Sequence, residues 1–192
     1  LSWKDKGVEL TQHSNLLETD EVEFRLKARR EQRFVLRIRK PEWMKNPTFI
    51  INGKEEELVT DSSGYCLFDR VWAHDNKIVL KYSMKPYIER LKKSDKYVAL
   101  LYGPYVLAGR FGKKNLPDSF WSTMNNTARR ELDLKEIPSL AYVADAVADN
   151  LKVISRNPLR FSLPMNGTKE ITIEPFYKIH FERYIIYWLT ER

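Results

Sequence analysis

The segment Val22-Glu23-Phe24-Arg25-Leu26-Lys27-Ala28, followed after a polar link by Phe34-Val35-Leu36-Arg37-Ile38-Arg39, decides the fold. In an extended chain successive side chains point to opposite sides, so residues two apart share a face. Phe24, Leu26 and Ala28 then share one face, with Glu23, Arg25 and Lys27 on the other. Phe34, Leu36 and Ile38 repeat the pattern, with Val35, Arg37 and Arg39 opposite. A helix would need apolar residues three and four apart, and this spacing does not supply them. The polar stretch Arg29–Arg33 reads as a hairpin loop joining two antiparallel strands.

The same alternation continues on both sides. Val8 and Leu10, with polar neighbours, resemble a strand. Pro41 blocks further ladder pairing unless its strand lies at an edge. Thr48–Ile51 runs into Asn52-Gly53, the dipeptide that most readily supplies the positive φ angles of a tight turn. Gly64–Val71 and Lys77–Lys85 are further strands; in the second, Ile78, Leu80, Tyr82 and Met84 oppose Lys77, Lys81 and Lys85. Tyr97–Leu101 is apolar on both faces, as suits a central strand covered on both sides. Gly103-Pro104 breaks it and Tyr105–Ala108 resumes.

Beyond Arg110 the texture changes. Gly112–Asn126 is polar, Ala128–Glu136 has the composition of a short helix ending at Pro138, and Ala141–Asn150 is weakly helical. Leu151–Ile154 and Leu159–Leu163 read as strands around Asn157-Pro158, and Asn166-Gly167 as a turn. The aromatic-rich tail Ile171–Leu189 reads as two strands joined near Lys178–Glu182. The expected fold is therefore mainly all-β. An antiparallel β-sandwich over residues 1–110 precedes a smaller, less regular β-rich region over 111–192, with one or two short helices. The last strands are expected to pack back on the sandwich.

The composition is that of a chain with a substantial core, with 43% hydrophobic and 12% aromatic residues. It begins with Leu1, without a signal-peptide pattern, so the start reads as a trimmed or processed product. No apolar run reaches the roughly 18–20 residues of a membrane span, so no membrane partner is expected. The single cysteine, Cys66, excludes an internal disulfide and any multi-cysteine metal site. It lies in an alternating strand and reads as a packed small hydrophobe. His13, His74 and His180 lack zinc-ligand spacing, and no metal or other cofactor is expected. His180-Phe181-Glu182 spells H-x-E but lacks the P-C-x-x-C pair of zinc deaminases. No nucleophile elbow or glycine-rich phosphate loop is present, and no catalytic residue is assigned.

Two surface constellations remain. Arg25 and Lys27 would lie beside Arg37 and Arg39 on the hairpin partner, forming either a solvated outer face or a docking face for an acidic partner domain. No aromatic side chains interleave with these charges, which argues against nucleic acid despite the net charge of +7. The second constellation is Phe176, Tyr177, His180, Arg183, Tyr184 and Trp188. It reads as a packed core or interdomain seam, or else as a sugar-contacting set.

Several stretches resemble the C-terminal part of glycoside hydrolase family 127-type bacterial proteins, the β-L-arabinofuranosidase group. Phe34–Trp43 is similar to the family's L-R-I-P-x-W stretch, with Lys40 inserted before the proline. Ile50-Ile51-Asn52-Gly53 is similar to its V-N-G turn. Gly64-Tyr65 with Arg70-Val71-Trp72 and Asp75 resembles its G-Y…R-x-W…G-D segment, departing from it at Asn76. Val98–Pro104 resembles V-A-L-x-x-G-P, and Pro175–His180 with Arg183-Tyr184 and Tyr187-Trp188 resembles the ending P-F-Y-x-I-H…R-Y…Y-W.

The resemblance implies a non-catalytic accessory region. Catalysis in that family belongs to an upstream (α/α)₆ barrel with a cysteine nucleophile held with other cysteines and a glutamate around zinc, and none of those motifs maps onto this chain. The implied partner is that barrel in the same polypeptide, with a homodimer or carbohydrate as further partners and a periplasmic or extracellular setting. The alternative is a carbohydrate-binding module for plant-type polysaccharide fragments, with Trp43, Trp72, Trp121 and Tyr184 as its contact candidates.

Overall fold

The computed structural model describes residues 1–16, 19–94, 96–114, 140–165 and 168–191. The expected helix over 128–136, Trp121 and the Asn166-Gly167 turn lie outside the described residues. The rest is β structure with only single short helical turns, and its contacts divide it into two units, Leu1–Lys85 and Pro86–Arg192.

The first unit contains β1 (Ser2–Trp3), β2 (Val8–Ser14), β3 (Glu21–Ala28), β4 (Gln32–Arg39), β5 (Lys45–Ile51), β6 (Lys54–Glu56), β7 (Tyr65–Trp72) and β8 (Asp75–Ser83). One sheet runs β1-β2-β3-β8-β5-β6; the other is the pair β4-β7. Alternation set the buried faces as expected: Val22, Phe24, Leu26 and Ala28 on β3 face Leu36 and Ile38 on β4 and Cys66, Phe68 and Trp72 on β7, all buried. Phe49 of the larger sheet meets Phe68 of the smaller one with ring centroids 4.7 Å apart, which fixes the layers face to face.

The expected β3–β4 hairpin does not form. β3 pairs with β2 and β8, and β4 pairs with β7, so the link after Ala28 carries the chain from one layer to the other. Alternation reports which side of a strand is greasy but not which strand lies beside it. Here crossing between layers lets both greasy sides meet. The Asn52-Gly53 turn is as read: φ is 50° at Asn52 and 84° at Gly53, both in the left-handed region. The Asn52 side chain also accepts from the Lys77 N–H at 2.9 Å and donates to Asn76 Oδ1 at 3.1 Å, tying the turn to β8.

The second unit contains β9 (Pro86–Arg90), β10 (Tyr97–Tyr102), β11 (Tyr105–Gly112), β12 (Leu140–Val143), the short helix α1 (Ala144–Val147), β13 (Lys152–Arg156), β14 (Leu159–Met165), β15 (Thr168–Pro175), β16 (Arg183–Ile185) and β17 (Tyr187–Glu191). The main path is β12-β17-β10-β11-β15-β14-β13, with β9 on β10 and β16 on β11. In a flat sheet β10 and β14, three strands apart, would sit about 14 Å from each other. Instead Tyr102 and Phe161 bring their rings to 5.2 Å, so the sheet curls over its own core. That core is built from Val98, Leu100, Leu107, Phe161, Leu163, Ile173 and Trp188.

The contacts divide the chain between Lys85 and Pro86. Tyr97–Tyr102 and Tyr105–Gly112 look like a continuation of the preceding strands, but they pair with β9, β15, β16 and β17. Pairing between distant segments leaves no local signature in the sequence. The tail forms three strands, β15, β16 and β17, where two were expected, because the chain bends at Ile186 and passes from pairing with β11 to pairing with β10.

Candidate functional site

The basic ribbon expected at Arg25, Lys27, Arg37 and Arg39 is split by the layer crossing. Arg25 and Lys27 point outward from the larger sheet, and Arg37 and Arg39 from the smaller one, on opposite sides of the sandwich. Each set is interleaved with carboxylates. Glu23 sits 2.8 Å from Arg25 and 2.7 Å from Lys77. Lys27 lies opposite Glu9 on one side and Asp75 on the other. Arg37 pairs with Asp61, whose carboxylate also accepts from the Ser63 and Tyr65 N–H groups. These are mixed-sign surfaces in place of one cationic face.

The aromatic constellation is brought together in part. Phe176 and Tyr184 stack at 4.8 Å, and Tyr177 leans on Tyr105 at 5.7 Å with the Lys178 ammonium 5.9 Å from its ring. Tyr177, His180 and Tyr184 are exposed and Arg183 is half-buried. Trp188 is not part of this surface but of the core, one of the two readings its sequence allowed. It is opposite Val98 on the inward side of β17, and its indole lies against Gly109, where an added Cβ would collide with it. Trp72 likewise cannot meet a sugar: it is fully buried, with its indole N–H donating to the Phe34 carbonyl at 3.0 Å. Trp43 is half-buried against Tyr82.

The sequence reading missed what holds this surface. Arg110 on β11 donates to Glu182 Oε1 through Nε at 2.9 Å and to Glu174 Oε1 through Nη1 at 3.1 Å. Arg160 Nε lies 2.8 Å from the same Glu174 oxygen, and both glutamates are buried. The Glu182 hydrogen bond, followed by that of Glu174, holds the Arg110 guanidinium above its ordinary pKa despite partial burial. This pairing pins the segment between β15 and β16. Within it Phe181, 62% exposed, adopts φ 55°, a left-handed conformation costly for a bulky side chain. The signal was two acids among many, 64 and 72 residues from their arginine, which no spacing rule connects.

The chemistry available is limited. Cys66 is fully buried, and burial pushes its thiol up, away from a reactive thiolate. A zinc–thiolate centre of the kind implied by the resemblance does not fit a lone buried cysteine. Among the described residues no group of three or more His, Cys, Asp or Glu side chains could hold a metal ion, and no helix is long and apolar enough to cross a membrane.

With this geometry in place, comparison with known proteins is direct. Residues 1–84 match the family model for the β-L-arabinofuranosidase GH127 middle domain. Residues 87–190 match DUF4986, described as a domain of unknown function. No curated protein matches the chain by sequence. Among solved structures, a GH127 β-L-arabinofuranosidase from Geobacillus stearothermophilus T6 aligns over 96% of this chain and 31% of its own, at TM-score 0.56 and 15% identity. A protein described as a glycoside hydrolase aligns over 99% of this chain and 34% of its own, at TM-score 0.63 and 17% identity. A GH127 β-arabinofuranosidase aligns over 96% and 32%, at TM-score 0.60 and 16% identity. The chain thus spans about a third of the length of each. The matched domains meet where the contacts divide the structure: by its match over residues 87–190 the chain belongs to the DUF4986 family, and with the GH127 middle-domain match over residues 1–84 it resembles the non-catalytic middle and C-terminal part of GH127 glycoside hydrolases.

Proposed function

We propose that the chain is the accessory β-sandwich portion of a longer GH127-type glycoside hydrolase, in which it braces an (α/α)₆ catalytic barrel of the same polypeptide and performs no chemistry itself. The observation that carries this reading is the coverage: nearly all of the chain aligns with only about a third of each solved relative. Its internal chemistry agrees. The buried carboxylates that converge, Glu174 and Glu182, are neutralised by Arg110 and Arg160. A glycosidase pair instead needs two carboxyl groups flanking a sugar. The substrate class would be that of the GH127 relative from Geobacillus stearothermophilus, β-L-arabinofuranosides.

The test is to determine the full encoding frame and to assay its product beside the 192-residue chain on an aryl β-L-arabinofuranoside. Activity confined to the longer protein is expected. Hydrolysis by the 192-residue chain that disappears in Glu174→Gln would overturn the reading.

A further inference from the structure

An antiparallel sheet with one face on its core normally turns polar side chains to water on the other. The sheet of the second unit departs from this rule. On β17, Trp188 points inward while Tyr187 and Leu189 point out. Register sets Leu189 opposite Tyr97 and Tyr187 opposite Ala99, on the outward side of β10. Next along, outward Leu101 is opposite Val106 on β11, and Arg110 further along β11 is opposite Tyr184 on β16. Tyr97, Val106, Tyr184, Tyr187 and Leu189 therefore share one outer face, with Phe181, whose backbone is left-handed, in the pinned segment ahead of β16. Each is between 36% and 62% exposed. Large apolar and aromatic side chains turned to water together on one side of a sheet mark an interaction site.

We propose that this face is the seam on which the remainder of the same polypeptide packs. The inference rests on the function proposed above and goes further by fixing the surface. The occupant follows from length, because the solved relatives have about two thirds of their chains beyond the part that this structure covers. The face also has the makeup of a lasting protein contact. Tyrosines dominate it, supplying rigid apolar area with a hydroxyl for the rim, and Arg110 and Glu89 border it. A sugar site would gather its rings in a groove, whereas these lie along the outer side of a sheet that curls the other way, over its own core. The pair of Arg110 with buried Glu182 holds the neighbouring Phe181 in place before any partner arrives, which lowers the ordering cost of association.

Hydroxyl-radical footprinting of the 192-residue chain and of the full-frame protein, each at dilute concentration, tests the seam. Tyr97, Tyr184 and Tyr187 should react readily in the 192-residue chain and several-fold more slowly in the long protein. Val35 and Val71, on the outer face of the β4–β7 pair, should react alike in both. In the long protein, Tyr187→Ser with Leu189→Ser should restore the reactivity of Tyr97 and split thermal unfolding into two steps. Equal reactivity of the three tyrosines in a long protein that is active would overturn the seam while leaving the proposed function intact. Protection that appears in the 192-residue chain alone, on raising its concentration or on adding arabino-oligosaccharides, would assign the face to a second copy or to a glycan and also overturn it. A frame that encodes no further domain would instead sink the function proposed above.

Discussion

Glu23 shows how a single side chain tunes the first unit. Hydrogen bonds from Lys77 and then Arg25 pull its pKa down to about 2. A carboxylate with a depressed folded pKa adds stability that is complete above its unfolded value, about 4.3, and fades as pH falls toward the folded one. The urea midpoint of the protein should therefore hold steady from neutrality to about pH 5 and then decline between about pH 4 and pH 2. Asp61, lowered first by the Tyr65 N–H and also by Arg37, works in the same direction. Glu23→Gln should flatten part of that decline, and high salt should shrink it, since these groups face water. At Gly109 the constraint is steric instead. Trp188 occupies the place of a side chain, so Gly109→Ala should cost about 1–3 kcal/mol in equilibrium unfolding, the usual penalty of overpacking.

Among the elements, the link between β15 and β16 depends on Arg110. Arg110→Met keeps the length of the side chain but strands the buried Glu182 carboxylate and leaves Glu174 to Arg160 alone, and a loss of about 2 kcal/mol is expected after allowing for the partial exposure of the guanidinium. Hydrogen exchange should accelerate first in Phe176–Ile185, with β3 and β8 unaffected. Legibility in the sequence divides at this same scale. The strands themselves were readable, from Phe24-x-Leu26-x-Ala28 to Ile78-x-Leu80-x-Tyr82, because a period of two records burial directly. So was Asn52-Gly53, whose conformational demand is local. The partners of the strands were not readable. β3 takes β8 and β4 takes β7 on account of a layer crossing that alternation does not encode, and Arg110 finds Glu182 only through that kind of long-range pairing. The quoted motifs, by contrast, marked the family because their order along the chain matters and their spatial neighbours do not.

At the scale of the molecule, each unit has its own interior, so residues 1–85 should form a folded domain by themselves. Dispersed amide resonances and a cooperative urea transition of that fragment are the expected result. A cut at residue 110, where composition changes, should behave worse, since it would carry β10 and β11 without β15 and β17. The pairing pattern also sets a timetable for synthesis. Phe24 must wait for Ile78, and Leu36 for Phe68, before either layer closes. Beyond the local β2–β3 ladder, this unit therefore cannot close until β8 has cleared the exit tunnel. Until then its strands are bare, greasy ribbons, and slowing translation only after β8 has left the tunnel should raise the soluble yield.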